Sequence, residues 1–487
     1  MRIEDFLAKH SLKCNPFANA EEAQGDWILL ELIKSRQFRF GHPQWPKFLG
    51  DPPGNQTSVV FGFKGSGKTA MRLALDAAIH EHNRHSPDGR VLVVSYDEFN
   101  TYLSSWKTHI DNALARHQGF WDRVRGRPAP TASLEKHWRL AHHIDAIIAE
   151  IMRRVPRMLS SSPSHPRLWP RQVKLDTLFL AAVYLPGRSN EYIQTIRDLR
   201  AMMFGPSARF WQTARRMLAG LLTLGGYFAY RFGQAQAIAL RLNRRVQVLE
   251  RDVPDRRWAL RKLPLGYLRS QPLTEQSLSP VDEAARYEML NKVLSIARQA
   301  GYGRIVVVID KVDEPSMIQG DYAQMSDFIK PLWNNKLLQT SGVQFKMLLP
   351  AQLYKTIRKA GGDLLNIARL DKANMIHPLT WSGEQLYEIL SERAAVCREN
   401  PDGLEYDLQS LFDPQITREQ LIETLARTRI PRYAAKFMNR AIAEACQVIL
   451  SSNVKDQVPR IPASIFHKVA AEVETELRND AQDLLEI

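Results

Sequence analysis

Cysteine is scarce in this sequence, with only Cys14, Cys397 and Cys446 among 487 residues. Three widely separated thiols are too few for a disulfide framework and lack the spacing of a thiolate zinc site. The first residues include the acids Glu4 and Asp5, and they lack the apolar core of a secretory signal peptide. We therefore expect a protein of the reducing cytoplasm.

Long apolar runs are also missing. The one stretch that suggests a membrane segment is 217–230, fourteen uncharged residues between Arg216 and Arg231. A helix needs about 20 residues to cross a bilayer, and extension toward Leu240 would bury an arginine at a substantial cost in free energy. We expect a buried helix or an interfacial hairpin here. A membrane-anchored protein stays open as an alternative.

The signatures of several enzyme classes are absent as well. The sequence has no GxSxG nucleophile elbow and no NKxD motif that reads guanine, so an α/β-hydrolase and a GTPase are not indicated. The histidines lack matching cysteine or carboxylate spacing for a metal site. We expect solvated helix faces to hold them, namely His80, His82, His85, His142 and His143.

Acidic residues are outnumbered, with 52 Asp and Glu against 66 Lys and Arg, a net charge of +14 at pH 7. Much of the excess falls within 201–270, which holds three acids and thirteen basic residues: Arg209, Arg215, Arg216, Arg231, Arg241, Arg244, Arg245, Arg251, Arg256, Arg257, Arg261, Lys262 and Arg269. Because a cationic surface attracts polyanions, 201–270 suggests DNA or RNA binding, with 241, 244 and 245 on one helix face. A solvated or intramolecularly paired face is the alternative.

What the sequence does contain is a glycine-rich loop of the form GxxxxGK[ST]: Gly62, Phe63, Lys64, Gly65, Ser66, Gly67, Lys68 and Thr69. It lies between an apolar run and a stretch of helical periodicity, the strand–loop–helix context of a P-loop. The N–H groups of such a loop and the positive end of the helix dipole bind phosphate. We expect Lys68 to reach the β- and γ-phosphates and Thr69 to hold Mg²⁺, so the sequence predicts binding of ATP and Mg²⁺.

A P-loop also needs a carboxylate at the end of a neighbouring strand, and the run at 304–309 ends at Asp310. We expect Asp310 to serve the Mg²⁺ ion. Asp313 or Glu314, one short turn later, would orient or activate the attacking water; either could instead cap the following helix. Asp97, which ends another β-branched run, competes with Asp310 for the metal role.

Strand-like runs alternate with helical segments along the chain. Continuous apolar runs are typical of strands buried on both faces of a parallel sheet, so the pattern predicts a doubly wound α/β fold. Strands are expected at 58–61, 90–96, 304–309, 343–349 and 374–379, and helices at 69–82, 134–155, 281–300, 382–399, 418–428, 432–450 and 463–485. The expected domains are an N-terminal segment (1–50), a P-loop ATPase core (51–100 and 301–380), a helical basic insertion (101–300) and a helical C-terminal lid (381–487).

The pairing of GFKGSGKT (62–69) with VVVIDKVDEP (306–315) resembles the signal-transduction ATPases of the AAA+-related STAND group. The long insertion between the two motifs is similar to the KAP branch of that group. The stretch 379–395 resembles the start of the family's helical lid, and IPRY (430–433) resembles its Pro-Arg motif. The resemblance implies an AAA+/STAND-like fold and a sensor-2-like contact of Arg432 with the γ-phosphate.

The sequence departs from the family pattern at two places, and both imply slow hydrolysis of ATP to ADP and phosphate. Lys311 follows the acidic residue, and 345–352 lacks a clear polar sensor-1 residue, Gln352 being the nearest. The family also implies a homo-oligomer in which a neighbour's arginine, here Arg369, completes the site. It further implies an effector protein from a neighbouring gene and a role in bacterial anti-phage defence. A nucleic-acid-binding module gated by ATP is the rival hypothesis, and a membrane-associated KAP-type NTPase is the third.

Overall fold

The structure is a computed structural model that describes residues 1–18, 25–34, 41–117, 130–187, 189–205, 224–250, 252–276, 279–359, 374–398, 406–451 and 458–480. Five parallel strands form one sheet in the order β2-β3-β4-β1-β5. Their bounds are Ser58–Gly62 (β1), Arg90–Tyr96 (β2), Tyr302–Ile309 (β3), Val343–Pro350 (β4) and Asn374–Ile376 (β5). Every predicted strand is present, and the predicted α/β class is confirmed.

The burial of these strands explains why the sequence predicts them. All five residues of β1 are buried, and Ile305–Ile309 of β3 have no exposed surface. A strand covered on both faces has no polar side to alternate with, so it forms a continuous apolar run. In the parallel register of β2 and β3, Tyr96 lies opposite Ile309. The two strands therefore end at the same level.

Helices account for most of the remaining described residues. In chain order they are Ile3–Lys9 (α1), Trp27–Lys34 (α2), Trp45–Leu49 (α3), Lys68–His85 (α4), Phe99–His117 (α5), Leu134–His137 (α6), Leu140–Ser160 (α7), Arg171–Tyr184 (α8), Ser189–Phe204 (α9), Leu224–Arg245 (α10), Val253–Leu260 (α11), Leu265–Arg269 (α12), Glu283–Gln299 (α13), Tyr322–Ile329 (α14), Asn335–Leu338 (α15), Ala351–Lys359 (α16), Gly383–Val396 (α17), Arg418–Thr428 (α18), Pro431–Ser451 (α19) and Ala463–Asp480 (α20).

The chain divides into two compact units. The first comprises Met1–Glu81, Met347–Lys355 and Asp371–Ile487, and the second comprises His82–Lys346 and Thr356–Leu370. The first unit therefore holds the glycine loop and the C-terminal helices α17–α20. The second holds β2, β3 and the helices that connect them.

The second unit is built on helices packed around large aromatic side chains. α13 packs against α7, α8 and β3. The helix predicted at 134–155 is interrupted, because Trp138 and Arg139 adopt extended backbone and α7 begins after them. The break places the indole of Trp138 beside that of Trp106, with ring centroids 5.2 Å apart and both rings buried.

No helix in the described ranges is both long and apolar enough to cross a membrane. Residues 217–223 of the membrane candidate lie outside those ranges, and 224–230 form the first part of α10.

Candidate functional site

The glycine loop, Gly62–Thr69, joins the end of buried β1 to the start of α4. Gly65 and Gly67 have φ values of +87° and +96°, the left-handed region in which a side chain is strained. Lys68 is the first residue of α4, and Thr69 follows it in the first turn. The predicted strand–loop–helix arrangement is therefore present.

Close packing within the loop explains the choice of glycine at two positions. A Cβ atom at Gly62 would lie 2.4 Å from Oγ of Ser66. A Cβ atom at Gly65 would lie 2.6 Å from the Cβ atom of Arg432. Both distances are shorter than atoms can approach, so any larger residue must displace a neighbour.

The lysine of the loop is held close to the loop's own backbone. Nζ of Lys68 donates hydrogen bonds to the carbonyl oxygens of Gly62, at 2.7 Å, and Phe63, at 2.9 Å. Phe63 is buried, whereas Lys64 is exposed. Two carbonyl oxygens of the loop thus hold the ammonium group of the lysine.

Two residues from the C-terminal part of the first unit contact this loop. The indole Nε1 of Trp381 donates a 2.8 Å hydrogen bond to the carbonyl oxygen of Ser66. Arg432, in the first turn of α19, directs its backbone N–H to the carbonyl oxygen of Gly65 at 3.4 Å. The structure therefore brings together the predicted loop and the predicted Arg432.

Trp381 was not assigned a role from the sequence. It lies immediately before Ser382, whose side chain caps α17 in a capping box with Gln385. His42 stands edge-on to the Trp381 ring at 4.8 Å and contacts the carbonyl oxygen of Thr380 at 2.9 Å through Nε2. Burial lowers the pKa of His42. An aromatic residue directly before a capping box was the signal available in the sequence.

The predicted acidic residues lie in the second unit, in the turn after β3. Asp310 is 3% exposed, and its Oδ1 accepts a 3.0 Å hydrogen bond from the N–H of Lys311. Lys311 has φ +61°, and its Nζ lies 3.5 Å from Oε2 of Glu314. The family departure at 311 therefore places a cation beside one of the two candidate water-orienting carboxylates.

The helix-cap alternative for Asp313 and Glu314 is wrong. The next helix, α14, is capped by Asp321, whose Oδ1 accepts a hydrogen bond from the N–H of Gln324 at 2.9 Å. The carbonyl oxygen of Asp313 accepts from the N–H of Gly320 at 3.0 Å, which closes the turn between β3 and α14. Neither acid therefore caps α14, and the Glu314 carboxylate is paired with Lys311 instead.

Asp97 and Asp310 occupy equivalent positions on adjacent strands. Each directly follows one of the paired residues Tyr96 and Ile309, and adjacent strands lie about 4.8 Å apart. Oδ1 of Asn100 accepts hydrogen bonds from the N–H and the hydroxyl of Ser316, which joins the two strand ends. The second unit thus carries an acidic residue directly after each of two adjacent strands. Either Asp97 or Asp310 could serve the Mg²⁺ ion.

The chain matches no family model, no curated protein and no solved structure.

His142 and His143 are not on a solvated helix face, and that expectation is wrong for both. Each is buried in the second unit. His142 stacks on Trp138 at 5.1 Å, and Nδ1 of His143 contacts the hydroxyl of Tyr96 at 3.0 Å. Burial lowers the pKa of His142 to about 4 and that of His143 to about 3. No group of three or more His, Cys, Asp or Glu side chains converges on a metal site within the described ranges.

The basic region divides into buried and exposed arginines. Arg245 shares one side of α10 with Arg241 and Arg244, but it is buried and donates a 2.7 Å hydrogen bond to the carbonyl oxygen of Leu273. Arg256 is also buried and donates to the carbonyl oxygen of Val183 at 3.0 Å. Arg245 therefore fits the alternative of an intramolecularly paired face. Arg209, Arg215, Arg216, Arg251 and Arg369 lie outside the described residues.

Proposed function

We propose that this chain is a P-loop ATPase of the AAA+-related STAND/KAP type, which binds ATP and hydrolyses it slowly to ADP and phosphate. The observation that carries the proposal is the glycine loop itself. Buried β1 delivers it, two left-handed glycines shape it, and α4 begins at its lysine. A loop of this form places fixed N–H donors and a helix N-terminus around a phosphate group.

The chemistry of the loop fits a polyphosphate. Gly62, Gly65 and Gly67 have no side chains that could shield the backbone N–H groups of the loop from a phosphate. A Cβ atom at Gly62 or Gly65 would also clash with a neighbour. The hydroxyl of Ser66 is buried, and it has no hydrogen-bond partner within the part of the chain that the structure describes. Lys68 has three donors and exchanges its carbonyl partners for the β- and γ-phosphate oxygens.

Mg²⁺ takes oxygen ligands, and the candidate residues supply oxygens of the kind it prefers. The hydroxyl of Thr69 and the carboxylate of Asp310 are assigned to the ion, with Asp97 as the alternative acid. Bound Mg²⁺ neutralises charge on the phosphate oxygens. Asp313 or Glu314 orients the attacking water, and the ion pair of Glu314 with Lys311 restrains one of these carboxylates.

Arg432 supplies the second positive charge of the site. It enters from the first turn of α19 and packs directly against Gly65. We assign its guanidinium group as a ligand of the γ-phosphate. When hydrolysis releases this phosphate, the guanidinium group loses its partner. Hydrolysis then changes the contact between the loop and α19, which is the kind of change that a switch protein passes to an oligomer or to an effector protein.

Calorimetric titration with ATP and Mg²⁺ tests the proposal. We expect Lys68→Ala to weaken ATP binding at least about tenfold, because it removes a charge-assisted contact, and to abolish hydrolysis. Lys64→Ala removes an exposed lysine from the same loop and is the matched control, with affinity unchanged. Equal affinity in Lys68→Ala and the wild type, with intact far-UV circular dichroism, would contradict the proposal.

A second candidate function is ATP-gated binding of DNA or RNA. It is favoured by an arginine–aromatic surface in the second unit, formed by Arg197, Tyr230, Phe232, Arg257, Trp258, Arg261, Lys262 and Arg269. Cations lie beside the rings: Arg257 is 4.2 Å and Arg261 5.5 Å from the centre of Phe232, and Arg269 is 5.7 Å from that of Tyr230. Tyr230 and Phe232 still keep 49% and 42% of their surface exposed. Arg257 also donates a 2.7 Å hydrogen bond to Oε1 of Gln236, and Arg269 donates one to the hydroxyl of Tyr230, so these partners of the two guanidinium groups are neutral. Arginines beside exposed aromatic rings suit a single-stranded nucleic acid, because its phosphates pair with the guanidinium groups and its bases stack on the rings.

Fluorescence anisotropy with a labelled single strand tests this second function. We expect affinity to fall steeply between 50 and 200 mM salt, by roughly a thousandfold if six or more phosphates are contacted. Arg261→Gln with Arg269→Gln should reduce both affinity and salt slope. Arg427→Gln with Arg478→Gln, which removes the same charge from exposed, ion-paired positions of the first unit, is the control. Absence of binding at low salt, or equal loss in both double variants, removes the candidate.

A further inference from the structure

Two thiols in the first unit lie almost within bonding distance. Sγ of Cys14 is 2.6 Å from Sγ of Cys397, although the two residues are 383 positions apart in sequence. A disulfide bond is about 2.05 Å long. Both cysteines are reduced in the structure. The two sulfur atoms are therefore direct neighbours in the fold of the first unit.

Backbone contacts hold the two cysteines in this position. The N–H of Lys13 donates a 2.7 Å hydrogen bond to the carbonyl oxygen of Cys397, and Leu12 pairs with Arg398 in an isolated antiparallel bridge. The segment that carries Cys14 is thus paired directly with the end of α17. Little backbone movement is needed to join the sulfur atoms.

Arg393 fixes the other side of Cys14. Its Nε donates to the carbonyl oxygen of Pro16 at 2.9 Å, and its guanidinium forms a buried ion pair with Asp26, with Nη2 3.2 Å from Oδ1. Arg393 lies in the last turns of α17 and Cys397 is the residue that caps its C-terminus, so the segments before and after Cys14 are both anchored to the end of α17.

We propose that Cys14 and Cys397 form a reversible disulfide that links the N-terminal segment to the end of α17 when the protein meets an oxidised low-molecular-weight disulfide. The two thiols have different parts in this reaction. Cys14 is half-exposed and is the site of first attack, whereas Cys397 is buried. Burial raises the pKa of Cys397, so that it reacts second, from within the protein.

Oxidised glutathione balances the reaction. The Cys14 thiolate attacks one glutathione sulfur, the glutathione disulfide bond breaks, and one glutathione thiolate leaves. The sulfur of Cys397 then loses its proton and attacks Sγ of Cys14, and the second glutathione leaves as a thiolate that takes up the proton. The first glutathione thiolate takes up the proton that Cys14 lost, so the protein loses two protons and two electrons in all, and one oxidised glutathione becomes two thiols.

Intact mass and peptide mapping of the full chain after treatment with oxidised glutathione test the proposal. We expect a loss of two hydrogens and a cross-linked peptide that joins 14 to 397, both reversed by dithiothreitol. Cys14→Ala should abolish the link, and it substitutes a half-exposed residue. Cys446→Ala, which removes the third thiol, should leave the link unchanged.

A thermal scan supplies an independent measurement, because a link across so long a loop restricts the unfolded chain. We expect the melting temperature of the oxidised wild type to rise by about 5 °C and that of oxidised Cys14→Ala to stay constant. The proposal is overturned if both thiols remain open to alkylation after oxidation. Arrest as a stable glutathione adduct on Cys14 overturns it as well. Neither measurement depends on ATP, so its failure is distinct from failure of the proposed ATPase.

Discussion

The indole of Trp381 is hydrogen-bonded to the backbone carbonyl oxygen of Ser66, at 2.8 Å and across 315 positions of sequence. The ring is 6% exposed and is supported by His42. One of the carbonyl groups of the glycine loop is therefore held by the residue that precedes α17. This bond joins the loop to the start of α17, both lying in the first unit.

Replacement of Trp381 by phenylalanine removes the bond and keeps most of the ring. We expect Trp381→Phe to lower the free energy of unfolding of the first unit by about 1–3 kcal/mol, since the Ser66 carbonyl loses its partner in a buried place. Urea titration followed by circular dichroism measures this. Trp27→Phe changes a half-exposed tryptophan of the same unit and should have little effect. A loss as large in Trp27→Phe would show that the hydrogen bond is not the cause.

Alanine at Gly65 would meet two penalties, its left-handed φ of +87° and a Cβ contact of 2.6 Å with Arg432. Gly320 is the matched control, because its φ is +76° and a Cβ atom there meets nothing within 4 Å. We expect Gly320→Ala to cost about 1–2 kcal/mol for the backbone alone, and Gly65→Ala to cost more and to slow ATP hydrolysis by displacing Arg432. Equal costs in the two variants would mean that Arg432 moves aside freely.

The sequence predicts the structure correctly where a residue type is required by the conformation or burial of its own segment. The continuous run at 304–309 predicted a strand because both faces of β3 are covered, and the glycines at 65 and 67 predicted the loop because their φ values require them. Only the resemblance to a family predicted a role for Arg432, because Gly65 and Arg432 are far apart in the sequence and no local pattern indicates their contact. The burial of Arg245 was not predictable, because its partner is a backbone carbonyl group, which leaves no mark in a charge pattern.

The buried imidazole of His142 makes the second unit sensitive to acid. Burial lowers its pKa from 6.5 to about 4 in the folded protein, so the unfolded chain binds the proton more readily. Stability from this group is complete above pH 6.5 and is lost as the pH falls toward 4, by about 2 kcal/mol at pH 5. Urea titrations of the second unit at pH 7 and pH 5 measure the difference.

His142→Gln should remove this part of the pH dependence. Its glutamine oxygen can still accept from the N–H of Arg139, the contact that His142 makes through Nδ1. His80→Gln alters an exposed histidine of α4 and should leave the loss at pH 5 as large as in the wild type. If His142→Gln loses as much stability as the wild type between pH 7 and pH 5, the imidazole is already protonated within the fold.

The choice between Asp310 and Asp97 as the acid that serves Mg²⁺ can be decided by two isosteric substitutions. The residues follow neighbouring strands at the same level, so each variant is compared with the other, although Asp310 is the more deeply buried of the two. Asp310→Asn keeps an oxygen to accept from the N–H of Lys311 and loses only the charge. We expect it to reduce Mg²⁺-dependent ATP hydrolysis by at least about a hundredfold, with ATP binding measured in EDTA unchanged. Asp97→Asn should reduce hydrolysis less than tenfold. A larger loss of hydrolysis in Asp97→Asn than in Asp310→Asn would assign the metal to the end of β2. If both variants hydrolyse ATP as fast as the wild type, neither acid belongs to the proposed site.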